Sequence, residues 1–405
     1  MAHPFRGGGA FGNLNRAPTV YRDPCLSFTI LLPAKNEEDV YRETIQKVYD
    51  LNYPSELVQI IAICREDDPG TIAEAMAKID ELQDSSLQLL VFNDKPINKP
   101  HGLNLGLKVA HNDVVTIFDA EDEPHPDILN IINTIMFDDE VDAVQSGVQL
   151  MNHNTRWFCF LNVLEYFFWF KSALHFFARI GMIPLGGNTV FVRRDVMEKL
   201  GGWDERCLTE DADIGIRLSI GDGRVRVIYD DQFVTREETP TSIGEFVRQR
   251  TRWNQGFIQI LFKGDWLHLE TFGQRVLAFY VLVMPEVQAL LTLMIPVSIF
   301  TIFFIRIQVW LAMFTFLPLG CLVLSIFLEL AGLREFKLAH KRKWSWREAG
   351  VLVLSYFPYQ WLLGVSAIRA TYRQVIGTSN WEKTAHTGQH RETPAAAYNL
   401  AGSGH

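Results

Sequence analysis

Short apolar runs alternate with amphipathic stretches through the first third of the chain. Four of these runs have the length of a buried strand, and they cover residues 27–32, 57–64, 87–92 and 114–118. Between them, apolar positions recur at helical spacing over 38–51 and 71–82, and a shorter helix is expected from about Leu103. Strands that alternate with helices are typical of a mostly parallel sheet. The pattern therefore predicts an α/β domain with a Rossmann-like sheet.

The second pattern is a set of apolar stretches that are long for a soluble core. Val276 to Ile305 covers 30 positions with one charged side chain, Glu286. Val309–Leu328 and Ala349–Ile368 each add 20 uncharged positions. A helix needs about 20 apolar residues to span a bilayer, so we expect a C-terminal α-helical transmembrane region. Two full crossings are favoured, with the third segment re-entrant or interfacial because Pro358 interrupts it and both its flanks are basic.

Basic residues around these segments predict their orientation. The stretch from Arg334 to Arg347 holds six Lys and Arg side chains, whereas the connector 306–308 holds one. Positive loops stay on the cytoplasmic side, which places the α/β domain there as well. Glu286 would cost about 2–3 kcal/mol at the middle of a bilayer, so we expect it to face protein or a polar path. Alternatively, it lies near Pro285 at a helix break close to the interface.

The remaining boundaries follow from composition. Residues 1–25 have neither an apolar core nor a cleavage site, so we expect a flexible cytoplasmic tail and no signal peptide. The α/β domain should then cover 26–275, the membrane segments 276–370, and a cytoplasmic tail 371–405. Trp157–Ile180 is aromatic but is interrupted by four acidic or basic residues, Glu165, Lys171, His175 and Arg179. It is expected to lie in the membrane interface, with a buried core helix as the alternative.

Composition narrows the class of partner. The 405-residue chain is 48% hydrophobic and 21% charged, which excludes disorder and a collagen-like fibre. Its formal net charge of −9 argues against nucleic acid as a partner. The five cysteines show no CxxC or zinc spacing, so we expect reduced structural thiols.

An acidic turn follows the fourth predicted strand, with the sequence Asp119-Ala120-Glu121-Asp122-Glu123-Pro124. Asp119 and Glu121 are two positions apart, so both carboxylates lie on one side of an extended segment and can reach one cation. Mg²⁺ or Mn²⁺ is commonly held by one or two such groups together with diphosphate oxygens. Because Glu121 is long, Asp119 and Asp122 are the alternative ligand pair. A merely solvated turn is also an alternative, but ligands of parallel sheets bind beyond the strand ends, which favours a site.

Four motifs, taken in order, resemble those of family 2 glycosyltransferases, and especially the cellulose, chitin and hyaluronan synthase branch. They are Pro33-Ala34-Lys35-Asn36-Glu37, Asp67-Asp68, Asp119-Ala120-Glu121-Asp122, and Thr209-Glu210-Asp211 followed by Gln249-Arg250-Thr251-Arg252-Trp253. The resemblance covers residues 26–390. With Lys99-Pro100, Leu103-Asn104 and Trp381-Glu382-Lys383-Thr384, it is closest to bacterial cellulose-synthase-like β-glycan synthases. It implies a GT-A fold and an inverting, metal-dependent enzyme.

The resemblance implies a site for a nucleotide-sugar donor, most simply a UDP-hexose. The donor-binding residues that it implies are Ala34, Glu37, Asp67, Asp68, Lys99, Asp119, Gln249 and Arg252. Which of the two adjacent aspartates contacts the base stays open. Lys99 and Arg252 are candidate cations for the diphosphate, because Lys offers a point charge and Arg a forked donor. Surface ion pairs are the alternative for both.

On the acceptor side, an inverting transfer needs a carboxylate that removes the proton of the attacking hydroxyl. Asp211 matches the family's base, with Glu210 and Asp213 as less favoured alternatives. Asp211 could instead cap a helix expected over 212–219. Trp253 resembles the tryptophan on which the acceptor sugar stacks, although core burial is an alternative. Three further residues are implied to bind the acceptor: Gly187, Asn188 and Glu210.

These expectations combine into one hypothesis. The chain is predicted to be an integral protein of a bacterial inner or plasma membrane that transfers hexose to a growing β-glycan, contacting lipids and the glycan. The nearest alternative is a single transfer to a lipid, as in the related ceramide glucosyltransferases. A membrane protein that binds sugar nucleotides without catalysis is a third hypothesis.

Overall fold

The computed structural model describes residues 16–151, 156–305 and 317–378. Its main sheet has seven strands in the order β3-β2-β1-β4-β7-β5-β8, and β6 pairs with β9 in a second sheet. Strands β1 to β4 run parallel, whereas β7 is antiparallel to β4 and β5. The strands are β1 Phe28–Ala34, β2 Val58–Arg65, β3 Leu87–Phe92, β4 Val114–Ile117, β5 Ala143–Gln145, β6 Val148–Leu150, β7 Val190–Arg193, β8 Val225–Val227 and β9 Thr235–Glu237. The predicted mostly parallel α/β sheet is confirmed.

Helices follow the strands as the periodicity predicts. They are α1 Tyr41–Tyr49, α2 Pro69–Leu82, α3 Lys99–Val109, α4 Ile128–Asp138, α5 Trp157–Phe168, α6 Leu174–Ile180, α7 Arg194–Lys199, α8 Glu210–Ile220 and α9 Ile243–Lys263. Helices α1, α2, α3 and α8 all begin at residues other than those expected, and two of these differences bear on the site. Helix α3 begins at Lys99 and not near Leu103, because the Asn98 side chain accepts a hydrogen bond from His101 N and caps it. Helix α8 begins at Glu210, so Asp211 lies inside its first turn and does not precede it.

The core of the sheet domain surrounds β1. Phe28, Ile30 and Leu32 on this central strand are fully buried, and they join a cluster that includes Ile45 of α1 and Ile132 of α4. Each such side chain contributes roughly 1.5–3 kcal/mol by leaving water. This burial explains why the continuous apolar runs in the sequence form strands covered on both faces. The four cysteines whose side chains the structure describes are free thiols, as expected.

The chain divides into two compact units. The first contains the main sheet and consists of residues 1–149, 169–203 and 214–236 within the described ranges. The second consists of 150–168, 204–213 and the chain from 237 onward. It holds α5, α9 and three further helices: α10 Phe272–Phe304, α11 Leu317–Ala339 and α12 Trp346–Val375.

Two helices are long and apolar enough to cross a membrane by length and composition, Phe272–Val297 and Trp346–Val375. The second runs unbroken through Pro358, so the expected interruption is not found. Proline removes one backbone hydrogen bond, a loss that a packed helix tolerates. Part of the second expected segment, 309–316, lies outside the described residues. Glu286 accepts a hydrogen bond from Thr371 of α12 at 3.2 Å, so it faces protein as expected.

The aromatic segment at 157–180 is divided into two helices by a π-helical turn at Trp169–Ala173. Helix α5 buries most of its residues, among them Phe158, Asn162 and Phe167. The structure therefore favours the core-helix interpretation for α5, since protein covers its apolar side. Helix α6 leaves Phe176 exposed.

Candidate functional site

The carboxyl ends of three neighbouring strands carry residues that are predicted to bind a donor. Ala34 ends β1, Asp67 and Asp68 follow β2, and Asp119 follows β4. Strands β2, β1 and β4 are adjacent in the sheet and run parallel, so these ends share one edge. Ligands of open α/β sheets bind at this edge.

The two adjacent aspartates after β2 have different surroundings. Asp68 is buried, and its carboxylate accepts hydrogen bonds from Asn36 N at 2.5 Å and Thr71 N at 3.3 Å. It thereby caps α2 and fastens the loop after β1, whose Glu37 N also donates to Thr71 Oγ1. Asp67 is exposed and forms an ion pair with Arg65. Asp68 shapes the loop, whereas the carboxylate of Asp67 is open to solvent.

Lys99 lies at the first residue of α3 and contacts the acidic turn. Its Nζ is 2.5 Å from Asp119 Oδ1, and both side chains are largely shielded from solvent. A lysine at a helix N-terminus adds a full charge to the partial positive charge of the helix dipole. The arrangement gives an anion two attractive sources at the same edge of the sheet. A surface ion pair was the alternative role for Lys99. The pair with Asp119 does form, but it is partly buried and lies within the site.

Asp122 holds the acidic turn in shape. Its carboxylate accepts a hydrogen bond from Asp119 N at 2.8 Å and two from Asn188 Nδ2, at 2.8 and 3.0 Å. The side chain is fully buried. Burial, and then the nearby carboxylates of Asp119 and Glu121, raise the pKa of Asp122 well above its usual range. Asp122 therefore stabilises the conformation of the turn through these hydrogen bonds.

Gln145, which the sequence did not single out, hydrogen-bonds to the loop at 186–188. Gln145 Nε2 donates to Asn188 O at 3.1 Å, and its Oε1 accepts from Gly186 N at 2.7 Å. Gln145 is fully buried at the end of β5. A buried amide in a short strand is the signal that could have identified it, because such a group needs partners. Asn188, predicted to bind the acceptor, is thus tied to the acidic turn.

Asn104 hydrogen-bonds to the loop at 201–203, which precedes the Thr209-Glu210-Asp211 motif. Its side-chain amide pairs with both backbone groups of Trp203, donating to O at 2.9 Å and accepting from N at 2.8 Å. Gly202 has a φ of +75°, and a Cβ there would lie 2.3 Å from Asn104 Oδ1. Only glycine fits this position, which gives a physical meaning to the Leu103-Asn104 motif.

The acidic turn supplies some, but not all, of the ligands that a divalent ion needs. Within residues 16–151, 156–305 and 317–378, no three His, Cys, Asp or Glu side chains are grouped to hold a metal by themselves. Asp122 is turned toward Asn188, which leaves Asp119 and Glu121 as carboxylates for an ion. One or two carboxylates are enough when substrate phosphates and water complete the shell, as Mg²⁺ requires. The hard oxygen donors therefore suit Mg²⁺ or Mn²⁺ bound together with a diphosphate.

In the second unit, the segment 204–213 carries the predicted base. Asp211 is half-buried in the first turn of α8, between the buried Glu210 and Asp213. Asp213 forms an ion pair with Lys263 of α9 at 2.7 Å, and Asp204 binds the same ammonium at 2.8 Å. Burial opposes the charge of Lys263, but these carboxylates more than compensate and raise its pKa. Asp213 is thus engaged as a structural partner, which favours Asp211 over it as a base.

Helix α9 contacts the segment 204–213 at two more points. Gln259 Oε1 accepts a hydrogen bond from Leu208 N at 2.9 Å. Thr209 packs directly on Gly256, where an added Cβ would lie 2.3 Å from Thr209 Oγ1. Positions 256, 259 and 263 recur at helical spacing, so one face of α9 makes all these contacts.

Replacing Gly256 by Ala should displace Thr209 and the start of α8. Overpacking of this kind costs about 1–3 kcal/mol, and the higher helix propensity of Ala returns about 1 kcal/mol. We therefore expect a modest fall in melting temperature but a large fall in any activity that depends on Asp211. The matched control is Gly350→Ala in α12, where nothing lies within 4 Å of the added Cβ. A Gly256→Ala protein that behaves like this control would contradict the tight packing.

The Gln-x-x-Arg-Trp residues lie in the middle of α9, which a capping box of Ser242 and Glu245 begins. Gln249 is buried, and its Oε1 has no hydrogen-bond partner in the part of the chain that the structure describes. Arg252 and Trp253 are half-buried. Arg250, which the sequence did not single out, is largely shielded from solvent and forms an ion pair with Glu165 of α5. The signal that could have found it is Glu165 itself, since a charge in an aromatic helix needs a partner.

The sheet, with its acidic turn and adjacent lysine, defines a protein of the GT-A glycosyltransferase class. The family model described as glycosyltransferase like family 2 matches residues 24–256, more than half of the 405-residue chain. The chain belongs to this family.

Relatives extend the similarity beyond the matched domain. The probable glycosyltransferase YdaM of Bacillus subtilis is 24% identical over 385 residues, 90% of this chain and 87% of YdaM. The β-monoglucosyldiacylglycerol synthase of Trichormus variabilis is 26% identical over 89% of this chain and 76% of its own length. The poly-β-1,6-N-acetyl-D-glucosamine synthase of Staphylococcus aureus is 24% identical over 69% of this chain and 65% of its own length.

A solved structure confirms the fold. Mannosyltransferase PcManGT from Pyrobaculum calidifontis, in complex with GDP-Man and Mn²⁺, superimposes with a TM-score of 0.61. The match covers 89% of this chain and 90% of that one, at 18% sequence identity.

Proposed function

We propose that this protein is a membrane-bound, inverting glycosyltransferase that moves a hexose from a nucleotide diphosphate sugar, most simply UDP-hexose, onto a growing β-glycan. The observation that carries the proposal is the contact of Lys99 with Asp119 at the N-terminus of α3. It joins a cation, a helix N-terminus and a carboxylate at the sheet edge, which is what binding a diphosphate and its metal requires.

Donor activation follows from this arrangement. When the sugar leaves, negative charge grows on the diphosphate, and fixed cations that already point at it lower the barrier. Lys99 is the first of these cations, and Arg252 of α9 is proposed as the second. Asp119 and Glu121 would hold a divalent ion, which when bound acts as a Lewis acid on the diphosphate oxygens. Ala34, Glu37 and the exposed Asp67 are proposed to line the nucleoside pocket.

Acceptor activation is assigned to Asp211. In an inverting transfer, the acceptor hydroxyl attacks the anomeric carbon directly and must lose its proton as the bond forms. The half-buried Asp211 is a suitable acceptor of that proton, since its neighbours Glu210 and Asp213 are buried. Trp253, Gly187, Asn188 and Glu210 are proposed to bind the acceptor sugar.

A membrane location is proposed from the long helices. Helix α10 leaves large apolar side chains exposed along its length, among them Leu291 at 62% and Phe303 at 77%. A soluble surface rarely tolerates such a continuous apolar face. We propose that α10 and α12 cross a bacterial plasma membrane, with the sheet domain on the cytoplasmic side.

A glycolipid is the second candidate product. The relative that forms β-monoglucosyldiacylglycerol matches 89% of this chain, whereas the polymer-forming relative matches 69%. Both candidates use the same donor chemistry and differ only in the acceptor hydroxyl.

Metal dependence tests the donor chemistry. Purified full-length protein in detergent should release nucleotide diphosphate from UDP-glucose, UDP-N-acetylglucosamine or GDP-mannose when Mg²⁺ or Mn²⁺ is present. EDTA should reduce this release at least about tenfold, because the leaving diphosphate then lacks its Lewis acid. Adding Mn²⁺ back should restore it. Release that EDTA leaves unchanged would contradict the metal role, and no release from any donor would contradict the function.

Product length distinguishes the two acceptors. The same protein, supplied with the active radiolabelled donor and vesicles that contain diacylglycerol, should yield a ladder of long oligosaccharides. A single sugar on diacylglycerol, without longer products, would replace the β-glycan synthase with the glycolipid synthase.

A further inference from the structure

A partly buried polar network links three helices of the second unit. One nitrogen of Arg250 in α9 donates to Asn162 Oδ1 and to Glu165 Oε2 of α5, both at 2.5 Å. The hydroxyl of Tyr359 in α12 donates to the same Glu165 oxygen, also at 2.5 Å. Asn162 and Tyr359 are at most 1% exposed. Glu165 is therefore the shared acceptor that joins α9 to α12.

The same arginine lies over the indole of Trp253. The guanidinium carbon is 4.7 Å from the centroid of that ring and 5.1 Å from the centroid of Phe246. Tyr166 of α5 also contacts Trp253, with ring centroids 6.1 Å apart. A cation at this distance from an indole face is attracted to its π-system. One face of Trp253 is thus occupied by protein, and the ring has a defined orientation.

We propose that Arg250 is a positioning residue that orients Trp253 for the acceptor, and that Glu165 and Tyr359 hold Arg250 in place. The proposal rests on the proposed function, in which Trp253 is the surface that the acceptor sugar contacts. Arg250 is the added element, because it fixes the orientation of Trp253. Through Glu165 and Tyr359, it also connects Trp253 to the long helix α12.

The chemistry of the network explains why an arginine is required. Two hydrogens on one nitrogen reach Asn162 Oδ1 and Glu165 Oε2, while the delocalised plane remains available for the aromatic rings. Lysine would bring a compact, strongly hydrated charge and would lose the stacking. Burial opposes the charge of Arg250, but Glu165, together with Tyr359 and Tyr166, more than compensates and raises the pKa of the guanidinium.

The network also predicts a graded set of effects. Removing Arg250 abolishes both the ion pair and the contact with Trp253. Removing only the Tyr359 hydroxyl leaves the arginine in place but takes one donor from Glu165. The second change should therefore weaken the orientation of Trp253 in the same direction and to a smaller extent.

The kinetic test uses purified full-length protein with two acceptor probes, cellotetraose and diacylglycerol in vesicles. Arg250→Met should raise the KM for the active acceptor about 5- to 20-fold, while the KM for the nucleotide sugar stays within about twofold. Tyr359→Phe should raise the acceptor KM about 2- to 4-fold. Arg248→Met, two positions earlier on the same helix, is the matched control and should behave as wild type. A change in donor KM equal to that in acceptor KM would indicate general damage and overturn the proposal.

A spectroscopic test does not depend on activity. The emission of wild type minus that of Trp253→Phe isolates Trp253, and acrylamide should quench this component more strongly in Arg250→Met. Unchanged quenching would overturn the proposal even if transfer is impaired. The Trp253→Phe protein also separates two failures. If its acceptor KM is unchanged, the role of Trp253 in the proposed function is wrong, whereas a raised KM with a normal Arg250→Met protein contradicts only the positioning role.

Discussion

Replacing Asp211 by Asn is expected to lower the rate of sugar transfer by about 10²–10⁴-fold, the usual contribution of a general base. The amide has nearly the same shape but cannot take the proton of the attacking hydroxyl. The KM for the nucleotide sugar should change little, because the donor contacts belong to other residues. Initial rates of nucleotide release over a range of donor concentrations measure both quantities.

Two neighbouring acids provide the controls for this result. Asp213→Asn removes a buried partner of Lys263, so it should lower the melting temperature more than it lowers the rate per folded molecule. Glu210→Gln tests the other alternative base. Undiminished release by Asp211→Asn would remove Asp211 from the base role, and a larger loss in Glu210→Gln would transfer that role to Glu210.

Replacing Lys99 by Met is expected to reduce kcat by about 10²–10³-fold, similar to the loss of one preorganised group that stabilises a developing anion. Here the KM for the donor should also rise, because the ammonium attracts the diphosphate before it leaves. Lys99→Arg should retain part of the rate, since it keeps the charge at the N-terminus of α3. The measurement is the dependence of nucleotide release on donor and Mn²⁺ concentrations.

The control for Lys99 is Lys108→Met, an exposed lysine near the end of the same helix. It should leave both constants unchanged. Full activity in Lys99→Met would mean that the contact with Asp119 is only a structural ion pair. Asp211→Asn and Lys99→Met are also distinguishable from each other. Asp211→Asn should bind the donor normally, whereas Lys99→Met should bind it more weakly.

The positions of the strands could be predicted because burial on both faces leaves continuous apolar runs. Leu87–Phe92 was predicted with the bounds that the structure has, and the other three early strands differ by one or two residues. Helix starts were less accurate. The helix expected from about Leu103 begins four residues earlier, because Asn98 caps a helix that starts at Lys99.

Partners across the chain could not be predicted, because they depend on which segments the fold brings together. Asp122 was considered as a metal ligand, but it bonds to Asn188, 66 positions away. Asp68 looked equivalent to Asp67 in the sequence, but the fold buries Asp68 against Asn36 N and Thr71 N and leaves Asp67 exposed. Arg250 looked like one more basic residue of its motif until Glu165, 85 positions earlier, was found beside it.

The sequence by itself determined the order of strands and helices, the long apolar helices and the motifs that resemble a glycosyltransferase. These are local properties, since periodicity and short spacings are written in neighbouring residues. Only the tertiary structure decided which carboxylate braces the acidic turn, which lysine contacts it and which arginine covers Trp253. The physical reason is that a buried polar group is stable only with a partner, and the fold selects that partner from any part of the chain.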